Sequence, residues 1–335
     1  MTSLALTLTE TLRYRGAIGQ WSWVLHRVSG LGVVLFLVIH VIDTSWAVFY
    51  PALYEKAIAV YQTPLFTIGE FILVACVVYH ALNGLRISIF DNRPALWKYQ
   101  ERAAYGVLGL TVLLLIPTFI IMFAHVIHFY QGDPQVLGLS EVISSQLPFI
   151  AGIALAIIAA VLLSALYGLI AGEGGKTGAR SSGSRLERFW WSFMRVSGLL
   201  IVPLVFGHLI MIHLIQGVFE INTAGQMVVG TNLINDSGTA VEFVRNRWTF
   251  LLGPVAVWRA YDFALLVLVV VHGFNGLRYV LTDYTMSSSL MRRASVYLCV
   301  IGATVLLVLG GAALFGTIDQ AAIAIAAQAA ANLHP

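Results

Sequence analysis

The sequence predicts an all-α membrane protein of seven transmembrane helices, with two parallel three-helix repeats joined by an extra helix around a four-helix core. Three observations carry this. Hydrophobic residues make up 59% of the 335 and charged residues only 10%, against about 25% charged in a typical soluble domain. Lipid must therefore solvate most of the surface. Seven apolar stretches, near 22–49, 64–90, 102–130, 148–171, 189–219, 254–282 and 290–316, are each long enough to cross about 30 Å of hydrocarbon. Finally, motifs of the first two spans recur in the fifth and sixth.

The breaks between spans are chemically plain. Asp91-Asn92-Arg93-Pro94 ends the second span, Gly132-Asp133-Pro134 the third, a Gly/Ser-rich stretch from Gly172 to Ser184 follows the fourth, and Asn235-Asp236-Ser237-Gly238 precedes the sixth. Of the 19 basic residues, only Lys56, Arg245, Arg247 and Arg259 fall on one side of the seven crossings. The other fifteen set the N-terminus in the cytoplasm and the C-terminus outside. No apolar core precedes Trp21, so the first helix is expected to direct insertion without a cleaved signal. Cys76 and Cys299 lie in apolar runs without partner spacing and read as packing residues. A net charge of +3 gives no reason to expect a nucleic-acid partner.

The repeat is specific. Arg27-Val28-Ser29-Gly30 recurs as Arg195-Val196-Ser197-Gly198, and His40 falls on His208 at the same offset. His80, Asn83-Gly84-Leu85-Arg86 and Asp91 recur as His272, Asn275-Gly276-Leu277-Arg278 and Asp283. The chain thus divides into a first half, 1–131, a joining helix with its linker, 132–188, a second half, 189–317, and an alanine-rich tail, 318–335. A three-helix unit ends on the side opposite its start, so a second unit in the same orientation requires one more crossing. The fourth span supplies it, which makes the halves parallel about an axis near the membrane normal. The tail, Gln320–Asn332, has too few large apolar residues to span and reads as a surface helix or as disordered.

Ligand-type side chains inside a span mark function. His40 and His208 lie about 27 Å from the starts of their spans, His80 and His272 about 15 Å from the same face, at 1.5 Å per residue. Two histidines from facing helices at one depth are what a bis-ligated haem needs, so the core reads as a haem-binding four-helix bundle with two stacked b haems. With both axial positions filled by imidazole, electron transfer is the natural role. The alternatives are histidines satisfied in a core, a haem-free parallel-repeat transporter that uses them as a proton relay, and an anchor that only docks partners. Near the cytoplasmic face, His26, Arg27 and Arg195 stand where propionates of an inner haem would emerge. Ser29, Asp91, Asp283 and Tyr284 are candidates for hydrogen bonds to a quinone, the two aspartates equally for helix ends. Trp21, Trp23, Trp190 and Trp191 read as an aromatic belt. Asp43 is a weak candidate beside the outer layer, and His125, His128 and His213, near the outer surface, receive no role.

At His26-Arg27-Val28-Ser29-Gly30, at His80 with Gly84-Leu85-Arg86 and Asp91, and at His272 with Gly276 and Asp283-Tyr284, the chain resembles the membrane anchor of succinate dehydrogenase, complex II. The first half is similar to the larger anchor subunit and the second to the smaller, here fused. The resemblance implies a cytochrome b subunit that holds an FAD flavoprotein and an iron–sulfur protein at the cytoplasmic face and passes electrons to quinone, in a complex that can assemble further. By resemblance His80 and His272 are ligands of the haem nearer the iron–sulfur protein, and His40 and His208 those of a second haem. Arg27 and Arg195 are propionate or quinone contacts, and Tyr284 is the quinone-site tyrosine. Ubiquinone-reducing single-haem members place a serine three residues before the His-Arg pair; Trp23 stands there, with Ser22 beside it. Diheme members often pair with menaquinone, which favours menaquinone over ubiquinone.

Overall fold

The computed structural model describes residues 16–132, 134, 136–171 and 185–333. Arg13, Arg15, Asp133, Lys176, Arg180 and the Gly172–Ser184 linker lie outside the described residues.

Seven helices are long and apolar enough to span a bilayer. They are α1 (Ile18–Phe49), α3 (Pro64–Asn92), α4 (Gln100–Gln131, preceded by a 3-10 turn, Pro94–Tyr99), α5 (Leu139–Ala171), α6 (Arg185–Leu209), α8 (Val257–Tyr284) and α9 (Ser289–Phe315). α5 begins nine residues before the fourth apolar stretch, because Ser140, Glu141, Ser144, Ser145 and Gln146 mask its first two turns from any hydropathy reading while Pro148 is accommodated inside the helix. α6 continues as a π-helical segment, Ile210–Gln216.

The helices pack as a repeat. α1, α3, α6 and α8 form a closed ring, α1 against α3, α3 against α6, α6 against α8, and α8 against α1. α4 leans on α3 and α9 on α8, matching third members of the two halves, and the joining helix α5 lies against α9. Without a hydrophobic drive between helices in lipid, close approach depends on small residues. Gly302 and Gly310 provide it in the second half, where a Cβ would stand 2.7 Å from the Phe274 ring and 2.9 Å from the Leu266 side chain.

A cap absent from the hydropathy pattern closes the end opposite the N-terminus of α1. It comprises α2 (Pro51–Tyr61), a two-residue antiparallel ladder of β1 (Gln226–Met227) and β2 (Ile234–Asn235), α7 (Ala240–Thr249) and α10 (Gln320–Leu333). The alanine-rich tail is this last helix. It lies against α2 and α7, with Ile323 and Ala326 buried; alanine on the contact face lets the backbones come near.

The cap contains a buried carboxyl. Glu55 on α2 is 3% exposed, and its Oε1 accepts the Val241 N–H at 2.9 Å, at the start of α7. Burial pushes its pKa from 4.5 up to about 7, against the lowering effect of the Val241 and Ala240 amides. A folded-state pKa above the unfolded value binds an extra proton on folding between the two. Cap stability is therefore fullest below pH 4.5 and falls as pH rises through about 7, by on the order of 3 kcal/mol. Amide protection factors in α7 and α10, taken relative to the intrinsic exchange rate at each pH, are expected to be lower at pH 8 than at pH 5, and Glu55→Gln to flatten that dependence; an unchanged slope in the variant would assign it elsewhere.

Candidate functional site

The ring of four helices gathers the four repeated histidines, one from each helix. His40 on α1 and His208 on α6 meet edge to face, with ring centroids 6.1 Å apart and planes 77° from parallel. Two imidazoles gripping one iron from opposite sides, at about 2 Å per metal–nitrogen bond, place their centroids about 6 Å apart. The outer pair has that spacing. Nδ1 of His208 is buried and has no hydrogen-bond partner among the described residues.

The inner histidines are held in a defined protonation state by their surroundings. Nδ1 of His80 lies 3.0 Å from the His26 carbonyl. A carbonyl only accepts, so Nδ1 carries the proton and Nε2 keeps its lone pair. Nδ1 of His272 lies 2.8 Å from Ser197 Oγ, whose single proton is already donated to the Phe193 carbonyl at 2.6 Å. Ser197 must accept from His272, and again Nε2 is the free nitrogen. This is the support a ligating imidazole requires.

The repeated motif before each histidine explains itself in these contacts. Ser29 occupies the position of Ser197, 3.4 Å from His80 Nδ1, while donating to the His26 carbonyl at 3.1 Å. Gly30 and Gly198 leave space for the imidazoles: a Cβ at Gly30 would lie 2.7 Å from His80 Cε1, and one at Gly198 3.4 Å from His272 Cε1. His26 is stacked on His80, centroids 4.0 Å apart and planes 6° from parallel, with its own Nδ1 buried and without a partner among the described residues. Its counterpart in the second half is Met194. Both side chains sit over a repeated glycine, His26 at 3.7 Å from a Cβ on Gly84 and Met194 at 3.6 Å from one on Gly276.

Arg27 and Arg195 are not free cations. Arg27 pairs with Asp283, and Arg195 pairs with Asp91 at 2.5 Å. Since Arg27 matches Arg195 and Asp91 matches Asp283, each half offers an arginine to the other half's aspartate. Two crossed ion pairs thus tie α1 to α8 and α6 to α3 at one end of the ring. The aspartates, read as quinone or helix-end candidates, are engaged in these pairs. Each guanidinium also lies 3.9 Å from the ring centroid of a tryptophan four residues earlier, Trp23 or Trp191. These tryptophans serve the arginines as well as any belt, and the repeated Trp-x3-Arg spacing was the signal for it. Tyr284, beside Asp283, is 67% exposed. Ser22 donates to Asn83 Oδ1 at 2.8 Å and accepts from Arg86 at 3.0 Å, which pins α3 to α1 next to the inner histidines.

At the other end, the π-helical turn carries His213 to Glu70, with Nδ1 and Oε1 2.5 Å apart, and His125 stands 3.5 Å from Glu220. The Glu70 partnership had no signal in sequence, since neither residue belongs to the repeat and an insertion in helical register is invisible to spacing. Asp43, one turn beyond His40, is buried and accepts from the Tyr61 hydroxyl.

The family model of the succinate dehydrogenase/fumarate reductase transmembrane subunit matches residues 7–120 and 176–311, two stretches that leave the joining helix between them. The chain is 37% identical over 112 residues to the succinate dehydrogenase 2 membrane subunit SdhC of Mycobacterium tuberculosis, across 33% of this chain and 82% of that one. It is 29% identical over 106 residues to a succinate dehydrogenase hydrophobic membrane anchor subunit of Halobacterium salinarum, across 30% of this chain and 81% of the other. No solved structure matches.

Proposed function

The chain belongs to the succinate dehydrogenase/fumarate reductase transmembrane subunit family, and from that membership we propose a diheme cytochrome b anchor that carries electrons from a docked iron–sulfur protein to quinone. It is a subunit of an oxidoreductase complex and an integral, multi-pass membrane protein. It does not itself act on succinate. Its partners are the FAD flavoprotein and the iron–sulfur subunit, docked on the cytoplasmic side with the N-terminus of this chain. The carrying observation is the set of repeat-matched imidazoles inside one ring of helices, two with ring centroids 6.1 Å apart and two with Nδ1 tied down so that Nε2 is free.

His80 and His272 would hold the inner b haem, and His40 and His208 the outer. Bound there, each haem would supply a one-electron carrier. The residues around them do the positioning. Ser29, the His26 carbonyl and Ser197 fix the inner tautomers, and the Gly30 and Gly198 backbones give the rings room. Arg27 and Arg195 stand at the inner end with donors beyond those their aspartates occupy, suited to propionate or quinone oxygens. Nδ1 of His26 adds a donor or acceptor beside His80. The exposed Tyr284 hydroxyl would meet a quinone carbonyl, with menaquinone favoured over ubiquinone.

The purified complex is expected to give a pyridine-haemochrome ratio near two b haems per chain, falling to one in His40→Ala. A colourless protein that still co-purifies with its flavoprotein would leave a docking anchor in place of an electron carrier. A ratio of one, unmoved by His40→Ala, would remove the outer site.

A further inference from the structure

The end of the bundle that carries the crossed ion pairs also carries a basic cleft that none of the proposed chemistry uses. It is open, about 410 Å³, and lies between the start of α6, the end of α8 and the start of α9, lined by Glu187, Arg278, Thr282, Arg292, Arg293, Val296 and Tyr297. Its one carboxylate is committed to one of its three guanidiniums, Arg278 to Glu187 at 3.1 Å. Among the described residues no carboxylate lies within ion-pair distance of Arg292 or Arg293. Among the described residues the cleft therefore holds two cations in excess, at the ends of three membrane-spanning helices.

Arg293 is built into place. Its guanidinium lies along the joining helix α5, making long contacts of 3.4 Å to Ser164 Oγ and to the Ser164 carbonyl, and it is 5.5 Å from the Tyr167 ring centroid. It lies close over Gly168, where a Cβ would stand 2.9 Å from Nη2 and the guanidinium would have to shift. Two weak contacts leave most of its five N–H donors unspent. Arg292 beside it is exposed. The apolar flanks begin at the same level: Leu169 and Ile170 near the end of α5 are 83% and 78% exposed, and Val300 on α9 is 57% exposed.

We propose that this cleft binds the phosphodiester headgroup of one anionic phospholipid, with its acyl chains lying along the exposed apolar surface of α5 and α9. A guanidinium pair matches phosphate oxygens with several donors at once, and basic pockets between membrane helices attract anionic headgroups. The exposed apolar residues beside the arginines put the cleft at the lipid boundary, where a headgroup can reach the guanidiniums while its acyl chains stay along the helices. The site depends on α5, which lies outside both stretches matched by the family model, so it is a feature of the joined chain and would pin the joining helix to the second half.

The test uses the whole complex reconstituted in nanodiscs of phosphatidylcholine with phosphatidylglycerol, and native mass spectrometry to count retained lipid. The expected result is one phosphatidylglycerol per chain retained preferentially, with its affinity lowered about five-fold by Arg292→Gln and by a similar factor for Arg293→Gln, and largely restored in Arg292→Lys. Arg292→Gln alone keeps the test valid, because its exposed side chain carries no packing that unfolding could confuse. Equal retention in wild type and variants overturns the proposal. So does protection by inorganic phosphate equal to that by the lipid. Loss of the iron–sulfur subunit from Arg292→Gln with lipid retention unchanged would reassign the cleft to protein docking.

Discussion

His272→Ala is expected to leave one b haem per chain and to abolish the spectroscopic signature of the inner site while the outer haem remains. The reason is geometric. The outer pair, His40 and His208, is contributed by α1 and α6 and makes its own ring contact, so it does not depend on the inner pair. The inner pair has no substitute nearby. Met194 and His26 lie over Gly276 and Gly84, and the nearest imidazole to the inner layer, His26, is already stacked on His80. Difference spectra and haemochrome counts on the purified complex check this, and His272→Met gives a second reading. A thioether axial ligand keeps iron six-coordinate but raises its potential, so a redox titration should show one haem shifted upward and the other unmoved. Ser197→Ala, which removes the acceptor at 2.8 Å from Nδ1, is the milder member of the series, lowering inner haem affinity by about 10- to 100-fold. If His272→Ala retained both haems with unaltered spectra, the inner assignment would be wrong.

Much of this architecture was legible in the residues, for reasons that also explain what was not. Seven spans were readable because a membrane helix needs a long, nearly uncharged run, and such a run leaves a strong average. The four histidines were readable because duplication printed the same local motif twice, and Ser29-Gly30 and Ser197-Gly198 were visible as pattern before their contacts gave them a purpose. The crossed pairing was not. Arg27, Arg195, Asp91 and Asp283 each appear in the repeat, but which arginine meets which aspartate depends on how the halves rotate about each other, and no spacing along one chain encodes that. The cap was missed for a different reason. α2, α7 and α10 are short, and α7 buries Glu242, Asn246 and Arg247 beside its apolar residues, so their stability comes from tertiary contacts that local hydropathy does not register. Glu70 and His213 meet through a π-helical turn, a change of register written in no single residue.

The crossed pairs also give the duplication a mechanical consequence. Each joins helices from different halves at the end where the inner histidines stand, and each is backed by a tryptophan face. Partly exposed ion pairs contribute only about 0–1 kcal/mol apiece, so their effect lies in alignment more than in stability. They hold α1 against α8 and α6 against α3 beside the helices that carry His80 and His272.

Gly30→Ala is expected to damage the inner site while Gly198→Ala is tolerated, although the two positions are equivalent in the repeat. Alanine favours a helix over glycine by about 1 kcal/mol, and that gain is common to both variants, so the difference between them isolates the local contact. At Gly30 the new methyl would stand 2.7 Å from His80 Cε1, and the ring has little freedom to retreat. Its Nδ1 is bonded to the His26 carbonyl at 3.0 Å and its face lies 4.0 Å from the His26 ring centre. Forcing a methyl into a packed contact costs about 1–3 kcal/mol, and here the cost falls on the orientation of a ligand. At Gly198 the corresponding distance is 3.4 Å, an ordinary van der Waals contact that leaves His272 where Ser197 holds it. Haem content and the inner-haem potential should therefore change in Gly30→Ala and stay near wild type in Gly198→Ala, with the outer haem unaffected in both. Equal behaviour of the two variants would mean that His80 is not pinned by His26 and Ser29, and that the motif serves helix packing alone.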